Sequence, residues 1–211
     1  MINQIVTFII KLIITVIQKT GYLGIFGLLA AESAMIPITS LITLPFIGFL
    51  VSQGSFNIYL SIIAATLGSL SGALLSFSLG YVGKDLLIRE LIKKYGKYIL
   101  ISISDLEKAE RWFRKYGEKI IFFARLIPVV KMFISLPAGI AKMKPRKFVI
   151  FTFLGSLTWS TIMIYVGVNL GNRWRELYVY YRKFEIVVIA AFVGLAVFYI
   201  SHKIRKFRKT A

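Results

Sequence analysis

Residues 120–141 read IIFFARLIPVVKMFISLPAGIA. The stretch is apolar enough for a membrane, yet Arg125, Pro128, Lys131, Pro137 and Gly139 interrupt it. A proline inside a helix removes one backbone hydrogen bond and crowds the preceding turn. Within lipid, backbone groups freed in this way must be satisfied by neighbouring protein or a water-lined cavity. Two half-helices meeting at a bend, a re-entrant hairpin, meet that demand; a straight span does not. Residues 21–52 have the same character. Gly21, Gly24 and Gly27 lead to Glu32, and Pro37, Pro45 and Gly48 follow. The predicted breaks are therefore Pro37, Pro45 and Gly48 in a first hairpin, and Pro128, Pro137 and Gly139 in a second.

The rest of the 211-residue chain agrees with a membrane setting. It is 57% hydrophobic and 17% charged, with a mean hydropathy of +0.75. Soluble domains carry about a quarter charged residues, so the composition argues against a soluble enzyme and against a disordered chain. Cysteine is absent and the one histidine is His202. Disulfides, thiolate metal sites, cysteine nucleophiles and paired-histidine zinc motifs are thereby excluded. No GxxxxGK phosphate loop, GxSxG elbow or metal-ligand cluster is legible. The expectation is a protein that is not an enzyme and has no cofactor or metal.

Residues 58–83 and 148–170 are long enough to span, with Gly68, Gly72 and Gly80 as small packing positions. Residues 186–201 form a further span, and 2–17 a shorter membrane helix. A signal peptide fits 2–17 less well, because no small-x-small site follows and Lys11, which snorkels to an interface, breaks the apolar run. Residues 84–119 carry ten Lys/Arg and six Asp/Glu. They read as two amphipathic helices, Asp85–Tyr95 and a second that opens with a Ser104–Glu107 capping box and ends near Tyr116, before Gly117. Trp174, Tyr178, Tyr180 and Tyr181 suit the headgroup level, while Trp159 reads as an anchor or packing residue. The organisation is one polytopic domain: half one (1–83), a cytoplasmic amphipathic segment (84–119), half two (120–170), and a C-terminal span with a basic tail (171–211).

The formal net charge is +18. Nineteen of the 27 Lys and Arg fall in 84–119, 142–147 and 203–209. By the positive-inside rule these stretches are cytoplasmic. The first hairpin then dips in from outside and the second from the cytoplasm, although Arg173, Arg175, Arg182 and Lys183 fall outside. The halves echo each other. Leu44-Pro45 precedes Leu67-Gly68-Ser69-Leu70 and Gly80; Leu136-Pro137 precedes Leu154-Gly155-Ser156-Leu157 and Gly167. Opposed halves with broken helices are an architecture of secondary transporters, with the site where the breaks face each other. The fold class expected is all-α integral membrane, an inverted repeat of re-entrant hairpin plus span.

Of nine carboxylates only Glu32 lies within an apolar segment, and Arg125 and Lys131 are the cations of the opposite hairpin. Intramembrane ionisable residues usually face a partner or a cavity. One reading is a Glu32–Arg125 ion pair that fastens the hairpins. The sharper one is that Arg125 and Lys131 bind an anionic headgroup, the first as a fork and the second as a point charge. Glu32 is the proton-coupling candidate. Thr39, Ser40 and Ser135 either line a polar path or satisfy broken backbone.

The motifs Glu32-Ser-Ala-Met-Ile-Pro37, Leu44-Pro45-Phe-Ile-Gly48-Phe, Phe123-Ala-Arg125-Leu-Ile-Pro128-Val-Val-Lys131 and Leu136-Pro137-Ala-Gly139 resemble the DedA family, bacterial relatives of the VTT-domain lipid scramblases. The resemblance covers roughly residues 20–170. It implies facing re-entrant hairpins in the bacterial inner membrane and movement of lipids such as undecaprenyl phosphate or phosphatidylethanolamine. It places the functional residues on Glu32, Arg125 and Lys131. Two departures stand out. Lys131 replaces the usual Arg, and Pro37-Ile-Thr39-Ser40-Leu41 lacks the family's second proline and second acid. Any proton coupling then rests on Glu32 alone, and the more cationic cavity favours an anionic lipid.

The combined expectation is a carrier of a phosphate-bearing lipid, with membrane lipids and anionic headgroups as partners and a homodimer left open. Its rivals are a proton-coupled antiporter of small cations or drugs, and a membrane scaffold that does not transport. Nucleic-acid binding is set aside, because the charges flank spans rather than interleave with exposed aromatics.

Overall fold

The computed structural model describes residues 12–36, 40–83 and 103–171, and all its regular elements among these are helical. We number them α1 (residues 12–20), α2 (Tyr22–Ser33), α3 (Ser40–Ser52), α4 (Ile58–Gly83), α5 (Ile103–Arg125), α6 (Pro128–Phe133), α7 (Ser135–Ile140) and α8 (Pro145–Leu170). α4 and α8 have 26 residues each, about 39 Å of helix against a bilayer core of about 30 Å. Leu67, Leu75 and Leu79 of α4 and Ile150 and Ile162 of α8 are exposed. In water such apolar faces would drive association; in lipid they are the outer surface. The protein is an all-α membrane protein.

Helix ends are set by backbone capping more than by the prolines. α2 stops in a Schellman turn: Ile36 N–H donates to Ala31 O and Met35 N–H to Glu32 O, with Met35 at φ 71°. α3 and α7 end the same way, through Gly54 (φ 73°) and Lys142 (φ 52°). Lys142 is held there by its ammonium, which donates to Tyr81 O at 2.6 Å and lies over the Tyr81 ring.

Several boundaries differ from those expected. Pro45 and Gly48 lie inside α3 rather than at a break. Pro128 does mark a break: α5 ends at Arg125, and Pro128 opens α6 at a position where its missing N–H costs nothing. Pro137 and Gly139 lie inside α7, and the interruption falls upstream at Ile134, between α6 and α7. The cause is local: a proline denies a donor to the carbonyl four residues before it, here Phe133. α5 runs through Gly117 to Arg125, so the boundary placed at 119/120 falls within one helix. Gly117 lies inside this helix, with the Met143 sulfur 3.3 Å from the position a Cβ would take. α8 begins at Pro145, inside the expected basic loop. Pro37, Thr39, the Asp85–Tyr95 helix, the 186–201 span, His202 and the basic tail lie outside the described residues.

α2 packs on α4 and α5 on α8; α3 crosses to α8, α7 crosses to α4, and α4 packs on α8. Glycines allow these approaches. A Cβ on Gly48 would meet Ile164 O at 2.2 Å and Val168 N at 2.8 Å, and one on Gly139 would meet Phe77 O at 2.1 Å and Tyr81 N at 2.8 Å. Gly68 and Gly155 abut Phe26 and Phe122 carbonyls, while Gly80 and Gly167 abut those of Leu136 and Pro45. Of the residues read as breaks, Pro45, Gly48 and Gly139 are thus points of helix contact.

Two apolar clusters result. One joins Ile25, Leu29, Leu44, Ile47 and Ile62 to Trp159 and Ile164; the other joins Ala73, Phe77, Phe113 and Ala138 to Phe148. Early α4 thus meets late α8, and late α4 meets early α8, so the two long helices run antiparallel. In the second cluster Phe148 is fully buried and stacked on Phe77, with centroids 4.2 Å apart. Phe148→Ala should therefore cost about 3–5 kcal/mol and Phe148→Leu less. Thermal unfolding in detergent measures this, and an unchanged midpoint for the alanine variant would refute the assigned packing.

Candidate functional site

Between the two apolar clusters the buried residues turn polar. Glu32, Ser33, Ser40, Ser69, Arg125, Lys131, Ser135, Thr152 and Ser156 are all buried, with Arg125 only 1% exposed. The helix ends place them. Glu32 is the penultimate residue of α2 and Ser40 the first of α3. Arg125 is the last of α5, Lys131 lies in α6, and Ser135 opens α7.

Glu32 joins the two interrupted regions. Its Oε1 accepts the Ser40 N–H at 2.8 Å, and its Oε2 accepts the Lys131 ammonium at 3.1 Å. The first N–H groups of a helix have no partner within it and carry the positive end of the helix dipole. A carboxylate is therefore a strong cap for α3. The Ser40 hydroxyl accepts a long hydrogen bond, 3.4 Å, from the Trp159 indole of α8.

Arg125 has a different partner from the one considered in the sequence. It forms no ion pair with Glu32; its Nη2 donates to Ser135 Oγ at 2.8 Å. Lys131 sits one helical turn beyond the α6 start, where it meets the carboxylate, while Arg125 at the end of α5 meets the α7 start. Arg125 Nε and Nη1 have no hydrogen-bond partner among the described residues, and neither do the hydroxyls of Ser33, Thr152 and Ser156. Gly155, which lies between Thr152 and Ser156 on α8, seats the Arg125 stem, with its Cβ direction 2.7 Å from Arg125 Cβ. Among the described residues one buried carboxylate faces two buried cations, so the cluster holds one positive charge in excess. Buried polar groups are nearly always paired, and each unpaired one costs about 1–3 kcal/mol. Unpaired guanidinium donors beside surplus positive charge have the chemistry to hold an anion.

A VTT domain model matches residues 36–169, which include Arg125 and Lys131. The chain belongs to the VTT-domain family, the DedA proteins. Among the relatives of this DedA protein is an "Alkaline phosphatase-like protein" of Lactococcus lactis subsp. cremoris, 38% identical and covering 85% of each chain. "Undecaprenyl phosphate transporter A" of Bacillus subtilis is 36% identical over 92% of this chain and 95% of its own. The Staphylococcus aureus protein of the same name is 29% identical over 92% and 98%. No solved structure matches the chain.

The sequence pointed to Glu32, Arg125, Lys131, Ser40 and Ser135, and these five are in the cluster. It did not point to Ser33, Thr152 and Ser156, and it marked Trp159 only as an anchor or packing residue. A signal was present: Thr152, Ser156 and Ser160 recur every fourth residue on one face of an otherwise apolar helix, and all three are buried. Among the described residues no three His, Cys, Asp or Glu side chains come together as metal ligands.

Proposed function

We propose that this DedA protein carries a phosphate-bearing lipid, a polyprenyl phosphate above all, across the bacterial inner membrane. The observation that carries the reading is Arg125: a deeply buried guanidinium with two donors unpaired among the described residues, beside a cluster of surplus positive charge at the level between two apolar cores. Arg binds phosphate as a fork, and the hydroxyls of Ser33, Thr152 and Ser156 supply weaker neutral donors. The relatives named undecaprenyl phosphate transporters support the same lipid class. The tail stays in the bilayer while the headgroup passes between the hairpin tips, and Glu32 changes protonation during the cycle.

In this reading the fold is an inverted repeat of two re-entrant hairpins, α2–α3 and α5–α7, each followed by a span. Its support is the exchange of packing partners. α2 lies on α4 as α5 lies on α8, and each hairpin's second leg crosses to the other half's span. Opposed repeats related by a pseudo-two-fold axis provide the two routes that alternating access needs. The basic stretches 84–119, 142–147 and 203–209 face the cytoplasm.

The test is lipid movement in proteoliposomes, with a fluorescent short-chain polyprenyl phosphate and, separately, a fluorescent phosphatidylethanolamine. The polyprenyl phosphate should move and phosphatidylethanolamine should move more slowly, since its ammonium meets a cationic site. Charge reversal at Arg125 and Lys131 to Glu should stop the movement. Lipid movement that survives both reversals would overturn headgroup binding, and loss of gradient dependence in Glu32→Gln alone would establish proton coupling.

A further inference from the structure

The Glu32 carboxylate sits where an anionic ligand would sit. It takes the N–H at the start of α3 with one oxygen and the Lys131 ammonium with the other, and Arg125 lies within electrostatic reach with two donors unpaired among the described residues. A helix-start N–H, an ammonium and a guanidinium fork together form a phosphate-binding donor set. Here the protein's own side chain fills two of the three.

We propose that Glu32 is a resident substitute for the ligand: a lipid phosphomonoester enters by displacing the carboxylate from Ser40 N–H and Lys131, and the returning carboxylate expels it. This rests on the carrier reading above and adds an exchange of two anions over one donor set. Charge fixes the direction. A phosphomonoester carries between one and two negative charges near neutral pH. With Glu32 ionised in place, the cluster offers one positive charge in excess. With the carboxylate displaced from its donors, the Lys131 ammonium and the Arg125 guanidinium both face the ligand, and their two positive charges match a dianion. Two anions held side by side on the same donors would repel, so occupancy by phosphate and by Glu32 is mutually exclusive.

The backbone favours such a swap. α2 is closed by its Schellman turn just after Glu32, and Trp159 holds the Ser40 side chain from α8. The helices on either side of the carboxylate thus keep anchors that do not depend on it, and displacement needs only a side-chain movement.

The experiment uses the full-length protein in phosphatidylcholine nanodiscs, with tritiated farnesyl phosphate as the probe. Equilibrium binding is measured for wild type, Glu32→Gln, Glu32→Asp and Arg125→Met, and translocation in vesicles for the same set. Glu32→Gln removes the competing charge while its amide oxygen still accepts the Ser40 N–H. It should bind at least about 10-fold tighter, the worth of one charge-assisted hydrogen bond, and translocate more slowly because nothing expels the ligand. Glu32→Asp is one methylene too short to bridge both donors and should fall between. A purely structural Glu32 would instead give weaker or equal binding in both variants. Wild-type binding that is lost in Arg125→Met but not tightened in Glu32→Gln overturns the exchange and leaves the carrier reading standing. Absence of binding in wild type and every folded variant overturns both. If Glu32→Gln fails to fold, Glu32→Asp decides: tighter binding supports the exchange, and equal or weaker binding refutes it.

Discussion

Arg125→Met should abolish lipid-phosphate movement while leaving the protein folded. The guanidinium is buried, and among the described residues only its Nη2 has a partner, Ser135 Oγ. The other two donors are desolvated already and are available to an incoming anion. Each hydrogen bond to a charged group contributes about 1.5–3 kcal/mol, so losing two lowers occupancy by at least about 100-fold. Methionine fills the stem beside Gly155 and leaves Glu32 and Lys131 as a neutral pair. Replacing a poorly satisfied buried charge by an apolar side chain of similar volume is often neutral or stabilising. Lys131→Met is the contrasting case. It strands the Glu32 carboxylate without its ion-pair partner and should cost about 3–5 kcal/mol of stability. The pair is checked by thermal unfolding in detergent alongside proteoliposome flux. More than about a tenth of wild-type flux in Arg125→Met, set against the 100-fold loss expected from two donors, or equal stability losses in the two variants, would contradict the assignment. Arg125→Lys keeps the charge without the fork and should retain intermediate flux.

Gly48→Leu should prevent α3 from seating on α8. A Cβ at Gly48 would lie 2.2 Å from Ile164 O and 2.8 Å from both Gly167 Cα and Val168 N, all backbone atoms of a long helix that cannot move aside cheaply. Overpacking of this kind costs typically about 1–3 kcal/mol for a tolerated insertion and more where backbone must shift. The expected result is loss of a monodisperse species on size-exclusion chromatography. Gly139→Leu should behave alike on the opposite contact, where the nearest atom is Phe77 O at 2.1 Å. Gly27 is the control. It is exposed on α2, and a Cβ added there would have no heavy atom within 4 Å, so Gly27→Ala should be harmless or stabilise by up to about 1 kcal/mol through helix propensity. Equal damage from Gly27→Ala and Gly48→Leu would mean that glycine content, not close approach, is what these helices require.

Three features follow from the order of residues alone: a bilayer as solvent, two long spans and the ionisable residues Glu32, Arg125 and Lys131. Apolar runs of fixed length answer to bilayer thickness, and a lone carboxylate among them is too costly to be incidental. The order of residues also located the interruption at Pro128, which opens α6, because a missing N–H acts locally. Tertiary structure decided the rest. Pro45 and Gly48 are indistinguishable in sequence from helix breakers, yet they lie inside α3, since a glycine that admits another helix's backbone and one that ends a helix differ only in what lies beside them. α5 also passes Gly117, where the neighbour is the Met143 side chain. Which cation pairs with Glu32 was likewise undetermined, because both candidates lie within one short segment. The turn at Leu126–Ile127 and the start of α6 bring Lys131 to the carboxylate and leave Arg125 facing Ser135, and only the placement of helix ends in three dimensions makes that choice.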